Sequence, residues 1–241
     1  ARTVAASGGV GLESGSVSWS TQLRYADLLE GHPLVATVDL VEQLRIVKDD
    51  GEVDRMTAAA AIADAALADV RDLLDDQVTE VEFALALDSA IRRLGASGNS
   101  FETIVASGEN SALPHARPTD RRISPGDLVV LDFGAVVDGY CSDMTRTVIV
   151  GEPSAEQLAM VDAVAAAQEA GVQAVAPGIS ASEIDRTCRE ILTDRGLGEY
   201  FTHSTGHGVG LDIHEAPRVS ALSDATLAPG FVVTVEPGVY R

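Results

Sequence analysis

The sequence predicts an α+β fold made of two like halves that share a sheet, and three observations carry that expectation. The order helix, helix, irregular segment, Pro-Gly, strand occurs twice, offset by about a hundred residues, the mark of an internal pseudo-two-fold. Four capping signatures open the four helices. An apolar run ending in an acid follows each Pro-Gly pair, with Asp132 seven residues after Pro125 and Glu236 seven residues after Pro229.

In the first half, Asp49-x-x-Glu52 opens a long helix with Met56, Ala59, Ala63, Leu67, Val70 and Leu74 at helical spacing. Thr79-x-x-Glu82 opens a second, with Ala84, Leu87, Ile91 and Leu94 on one face and Gly95 as its stop. The irregular segment 97–118 contains Leu113-Pro-His115-Ala-Arg-Pro. A hairpin follows: Leu128–Leu131 is an apolar strand, Val137-Asp138-Gly139-Tyr140 supplies the turn, and Tyr140–Val150 returns. Whether the turn closes with two residues or four, Asp143 lies opposite Asp132 or one diagonal step away, on the same face. Carboxylates about 5–8 Å apart at Cβ suit a pair of metal ions roughly 3.5–4 Å apart.

In the second half, Ser154-x-x-Gln157 opens a helix with Leu158, Val161, Ala165, Val172 and Val175 in register. Ser180-x-x-Glu183 opens another with Ile184, Cys188 and Ile191, ending at Gly196. The irregular segment 201–217 then carries His203, His207 and His214. Residues 1–45 are Gly/Ser-rich with short β-prone pieces at Val10, Val17 and Leu34. So short a piece is not expected to bury a core of its own, and Trp19 and Tyr25 are expected to pack.

The formal net charge of −20 argues against nucleic-acid or anionic-membrane partners, which need a positive surface. The two cysteines, Cys141 and Cys188, form no disulfide or zinc spacing, so a reducing, cytoplasmic setting is expected. Cys141 is expected in packing and Cys188 in the core. No apolar run reaches transmembrane length, and the start lacks the apolar centre of a signal peptide.

The possible metal ligands are Asp132, Asp143, His207 and Glu236, with His115, His203 and His214 in the same irregular segments. A carboxylate-rich set with one imidazole suits Mn²⁺, Co²⁺, Fe²⁺ or Zn²⁺, and two such ions supply amide-hydrolysis chemistry. Gly206, Gly208 and Gly210 exclude a helical His203/His207 pair of the kind found in zinc peptidases.

At these residues the chain resembles the pita-bread metallopeptidases, in their prolidase and aminopeptidase P branch. The motifs are Asp132-Phe-Gly, Gly139-Tyr-x-Ser-Asp143-x-Thr-Arg-Thr147, His203-x-x-Gly-His207-Gly-Val-Gly, His214-Glu-x-Pro217 and Thr234-Val-Glu236-Pro-Gly. Leu44-Arg-x-x-Lys48, Glu52 and Met56 resemble that branch's entry into its catalytic domain. The resemblance implies a pita-bread fold around a curved antiparallel sheet and a dinuclear site. Asp132 would be a terminal ligand, Asp143 bridging, His207 on one ion and Glu236 on the other. Mn²⁺ is the expected metal, with Co²⁺ or Zn²⁺ as alternatives. His115 and His214 would position the scissile carbonyl and move protons, and His203 would line the proline pocket. Arg146 and Thr147 would orient groups behind the ligands, unless strand pairing alone accounts for them. The implied substrate is a proline-containing dipeptide or longer peptide, cut before proline by a homodimer, with His115, His214 and Glu236 as catalytic residues.

The family's fifth ligand, a Glu in a Gly-x-Arg-Ile-Glu-type segment, is expected some twenty residues after Glu236. Residues 1–45 are expected to be the tail of an amino-terminal domain and 46–241 a catalytic domain shortened at its end. A methionine aminopeptidase is disfavoured by the Ser-Asp-x-Thr-Arg-Thr run, and a metal-free amidinohydrolase by the intact ligands. The alternative from another class is a binding module that keeps the fold without the chemistry.

Overall fold

Three of the four expected helix starts are closed from both sides. In the computed structural model, which describes residues 8–241, Asp49, Thr79 and Ser154 each accept from the backbone three residues on. Glu52, Glu82 and Gln157 reach back to the capping residue's own N–H. The fourth is one-sided. Ser180 accepts from Glu183 N at 3.2 Å, while the Glu183 carboxylate pairs with Arg186 at 3.6 Å.

The chain divides into two units, residues 1–45 and 46–241. In the first, β1 (Val10–Glu13) and β2 (Leu34–Thr37) pair in parallel; α1 (Trp19–Leu28) joins them and α2 (Leu40–Arg45) follows. The β-prone piece at Val17 is therefore a helix start, because Ser18 caps it by accepting from Thr21 N. Trp19 is 75% exposed and Tyr25 38%, so neither packs as expected: α1 buries no residue.

In the second unit the first half contains α3 (Asp50–Val70), α4 (Glu80–Arg93), β3 (Gly98–Asn99), β4 (Ile104–Ser107), β5 (Leu128–Phe133), β6 (Ala135–Val137), β7 (Tyr140–Cys141) and β8 (Met144–Ile149). β5 runs antiparallel between β4 and β8, and β6 between β3 and β7. Along β5, Val129, Leu131 and Phe133 are fully buried, in the core formed with Ala59, Ala63, Phe83, Leu87 and Ile91 of the helices. By strand alternation Leu128, Val130 and Asp132 face the other way. α3 ends at Val70, and Leu74 is buried from a 3₁₀ turn, Arg71–Asp76, rather than from the helix. Leu94 is 38% exposed, at the cap that precedes Gly95.

The hairpin turn closes on two residues. Asp138 (φ 48°) and Gly139 (φ 87°) are both left-handed, the backbone a type I′ turn demands and the reason Asp-Gly stands there. Val137 pairs with Tyr140 and Val136 with Cys141, and the same offset continues through Phe133↔Met144 and Asp132↔Thr145. Asp143 is thus one diagonal step from Asp132 on one face.

The second half contains α5 (Ala155–Ala174), α6 (Ala181–Asp194), β9 (Gly206–Gly208) and β10 (Glu215–Val219). The expected apolar face of α5 is corrected. Leu158, Val172 and Val175 are exposed to 39% or more, while Ala163, Ala167 and Gly171 are buried. The small residues win because α6 packs closely: a Cβ on Gly171 would lie 2.5 Å from Cys188 Sγ and 2.7 Å from Val235. Cys188 is fully buried, as expected, and Cys141 is buried.

Residues 231–236, the expected strand after Pro229-Gly230, run extended and antiparallel to β9 without a continuous ladder. Thr234 N donates to His207 O at 2.8 Å and Glu236 N to Thr205 O at 2.8 Å. The return bond from His207 N goes instead to the Thr234 hydroxyl, at 3.0 Å. Gly206 permits this approach, since a Cβ there would meet Thr234 O at 2.1 Å. No helix among the described residues is long and apolar enough to cross a membrane.

Candidate metal centre

Asp143, His207 and Glu236 converge from three separate segments. Their ligand-type atoms all lie within 4.8 Å of one another. His207 Nε2 is 3.4 Å from Asp143 Oδ2 and 3.2 Å from Glu236 Oε1. The ring is fixed from behind, because Nδ1–H donates to Gly208 O at 2.9 Å, leaving Nε2 to face the carboxylates. Glu236 is held by the Thr234 hydroxyl at 2.8 Å, two residues earlier on the same face. Asp132 is not one of the three, but it lines the same cleft and accepts from its cross-strand partner Thr145 at 2.9 Å.

Electrostatics describe a site that favours a cation. Burial, reinforced by the charges of Asp143 and Glu236, pushes the Asp132 carboxyl up to about 7. Burial pulls His207 down, yet its hydrogen bonds to Asp143 and Glu236 outweigh that and raise it to about 10. Glu236 is also opposed by burial but ends below its ordinary value through His207 and Thr234. Tyr240 is pushed up to about 12 by burial and by the nearby Asp132 and Glu236. Two carboxylates and a correctly oriented imidazole beside a third acid make a donor set that fits a hard or borderline divalent cation.

The cleft around these groups has a volume of about 2410 Å³ and includes His115, His203 and His214 in its lining. His214 sits edge-on to His207 with ring centroids 4.4 Å apart; burial and the His207 charge hold it below the ordinary histidine range. His203 packs edge-on against Phe201 and Tyr240. Its Nδ1–H donates to Ser204 O at 2.8 Å, and its enclosed Nε2 has no hydrogen-bond partner among the described residues. His115 is exposed. Arg146, by contrast, extends to Asp64 at 3.6 Å and to Thr145 O, and Thr147 is exposed opposite Val130. Strand pairing accounts for both.

The Lys48, Glu52 and Met56 motif has a physical basis. Lys48 Nζ lies 2.8 Å from Glu215 Oε2, with both side chains almost wholly enclosed, and Glu215 also accepts from Asp212 N. The loop bearing His214 is fastened there. Glu52 accepts from the Tyr140 hydroxyl at 2.6 Å, and Met56 packs with Cys141 and Val209.

Thr145 and Thr234 stand in the motifs without a role, and Tyr240 is absent from them, although the first two hold Asp132 and Glu236. The first two had a signal: each stands two residues from an acid on a strand, at Asp143-Met-Thr145 and Thr234-Val-Glu236, so alternation puts it on the acid's face. Tyr240 lies in a segment without a repeat to read.

Acids and an imidazole gathered from three separate segments onto one cleft define a candidate divalent-metal centre. Residues 54–241 match the model of metallopeptidase family M24, and the chain belongs to that family, which implies divalent metal ions. It is 42% identical to an uncharacterized peptidase of Bacillus subtilis, YqhT, over 96% of this chain and 65% of that protein. It is 43% identical to an Xaa-Pro dipeptidase of Pyrococcus furiosus over 84% of this chain and 58% of that protein. The chain therefore spans less than two thirds of the length of these relatives. Among solved structures, an Xaa-Pro dipeptidase from Bacillus anthracis superposes with a TM-score of 0.94 at 43% identity, covering 97% of this chain and 66% of that one. Prolidase from Pyrococcus furiosus gives 0.90 at 39% identity, covering 98% and 69%. The fold is the pita-bread fold.

Proposed function

We propose that the chain carries the metal centre of an Xaa-Pro peptidase that hydrolyses the amide before proline. The observation that carries this reading is the convergence of Asp143, His207 and Glu236 in one cleft with Asp132, His203 and His214. Two divalent ions, Mn²⁺ before Co²⁺ or Zn²⁺, would be held by Asp132 as a terminal ligand, Asp143 as the bridge, His207 on one ion and Glu236 on the other. When bound, they supply a hydroxide near neutral pH and polarise a carbonyl.

The chain's own residues do the rest. His203, with Phe201 and Tyr240 around its ring, forms a wall suited to a proline ring. His214, edge-on to His207 and held below the ordinary histidine range mainly by burial, takes or gives a proton at the scissile nitrogen. His115 reaches the same cleft from the other half and orients the carbonyl. Glu236, beside His207, holds the attacking water. Dipeptides are favoured over longer peptides. Residues 1–45 belong on this reading to an amino-terminal domain, and the working form is a cytoplasmic homodimer.

The test is release of free proline from Ala-Pro with added Mn²⁺ and with a chelator. Chelator-sensitive release is the expected result. Repeated on a chain long enough to carry the fifth ligand expected some twenty residues after Glu236, Mn²⁺ binding without release would favour the non-catalytic binding module, and absence of both would remove the metal centre itself.

A further inference from the structure

α6 carries an acid that faces the interior. Asp185 is fully buried, and Arg189, one turn on, reaches it at 2.6 Å (Nε to Oδ2) and 3.2 Å (Nη2 to Oδ1). Had the pair served only to anchor the helix, apolar residues of equal volume would do as well, because desolvation consumes much of a buried ion pair's attraction. Its remaining bonds go elsewhere. Arg189 Nη1 donates to Phe201 O at 2.9 Å, Nη2 donates to His203 O, and the guanidinium lies 4.1 Å from the centroid of the Phe201 ring. Asp185 Oδ1 accepts from Thr205 N at 3.1 Å and from the Thr205 hydroxyl at 2.8 Å.

Three alternate residues, 201, 203 and 205, are thereby tied to one ion pair. The stretch they belong to has no ladder until β9 begins at Gly206, so these side chains satisfy backbone groups that regular structure would otherwise satisfy. The chain of bonds continues into the centre, because Thr205 O accepts the N–H of Glu236 at 2.8 Å. The other fully buried acid, Glu80 of α4, is a useful contrast. It accepts from Ser107, Asn110 and Thr119, none of which bonds a ligand.

We propose that Asp185 and Arg189 are positioning residues that set the Phe201–Thr205 segment, and through it orient both His203 and the metal ligand Glu236. For its metal and its peptide this inference rests on the proposed function.

The experiment is Mn²⁺ titration by calorimetry of the full chain and of Asp185→Asn, Thr205→Val, Thr205→Ser and Glu80→Gln, with KM and kcat for Ala-Pro measured alongside. Asp185→Asn and Thr205→Val, which act on Glu236 only through the Thr205 backbone, should weaken Mn²⁺ binding by up to about 10-fold, the lower end of the cost of losing a direct partner behind a ligand. Thr205→Ser, which keeps the hydroxyl, should restore affinity. Glu80→Gln should lose stability and keep its Mn²⁺ affinity. Arg189→Lys, which cannot span both carbonyls, should raise KM more than it lowers kcat. If Asp185→Asn does not fold, the near-isosteric Thr205→Val decides. Unchanged Mn²⁺ affinity in Thr205→Val, or equal loss in Glu80→Gln, overturns the inference. With the chain extended to carry the expected fifth ligand, Mn²⁺ binding without proline release sinks the peptidase reading and leaves the affinity comparison standing; an unmodified extended chain that binds no Mn²⁺ overturns both.

Discussion

The Thr234 hydroxyl donates to Glu236 Oε1 at 2.8 Å, the same oxygen that lies 3.2 Å from His207 Nε2. Through its N–H bond from His207, Thr234 also holds the other partner's backbone. One small side chain thus sets both members of the acid–imidazole contact. Thr234→Val keeps the shape and removes both bonds. Mn²⁺ affinity should fall about 10-fold with the fold intact, as read by calorimetry and circular dichroism.

After burial, the charge of Asp143 is the next contributor to holding Asp132 protonated, with its pKa pushed up to about 7. Without metal, Asp143→Ala relieves the repulsion with Asp132 but also removes the contact with His207, so it should abolish proline release while changing the melting temperature of the metal-free chain little. A parallel loss of melting temperature in chelator would show that Asp143 is needed for folding instead.

Glu80 is held below its ordinary value of 4.5: burial opposes ionisation, but hydrogen bonds from Thr119, Ser107 and Asn110 prevail. A depressed folded value means that the unfolded chain binds the proton more readily. Glu80 therefore adds stability that is fully present above 4.5 and is lost as pH falls through the folded value. Glu80→Gln should cost about 2 kcal/mol near neutral pH, in the range for hydrogen bonds to a charged group. It should also flatten the acid limb of a urea-midpoint profile against pH.

Gly171→Ala tests the small-residue face of α5. On a solvent-facing helix this change gains about 1 kcal/mol. Here the new methyl meets Cys188 Sγ and Val235, and a loss of about 1–3 kcal/mol is expected in urea unfolding. Because Val235 adjoins Glu236, Mn²⁺ affinity should decline with it.

Much of this site was legible because its acids punctuate short strands after Pro-Gly turns, and alternation assigns their faces without knowledge of the fold. Asp132 and Asp143 fall on one face whether the turn at Val137–Tyr140 closes with two residues or four, so their shared face is legible before the register is known. Helix starts were equally open, since a cap is a local bond. The face of α5 was misread because aliphatic periodicity marks what is apolar, whereas close packing against α6 selects what is small. Asp185 and Arg189 escaped notice for a related reason. At i, i+4 on a helix, an acid and a base look like a solvated surface pair, and only the irregular segment folded over them makes them interior. Trp19 was misjudged because an aromatic side chain is expected to be buried, while α1 fully buries none of its residues.

The two-residue turn at Asp138-Gly139 makes the stretch from Asp132 to Asp143 intolerant of indels. Substitutions there change side chains one at a time, but a single inserted residue reverses the inside–outside parity of everything after it. Asp143 would point into the helices and Met144 into the cleft. Among relatives that keep the chemistry, the length of this hairpin should therefore vary less than its composition, and a homologue with an odd change in that length should have lost metal binding even where every ligand is still spelled out.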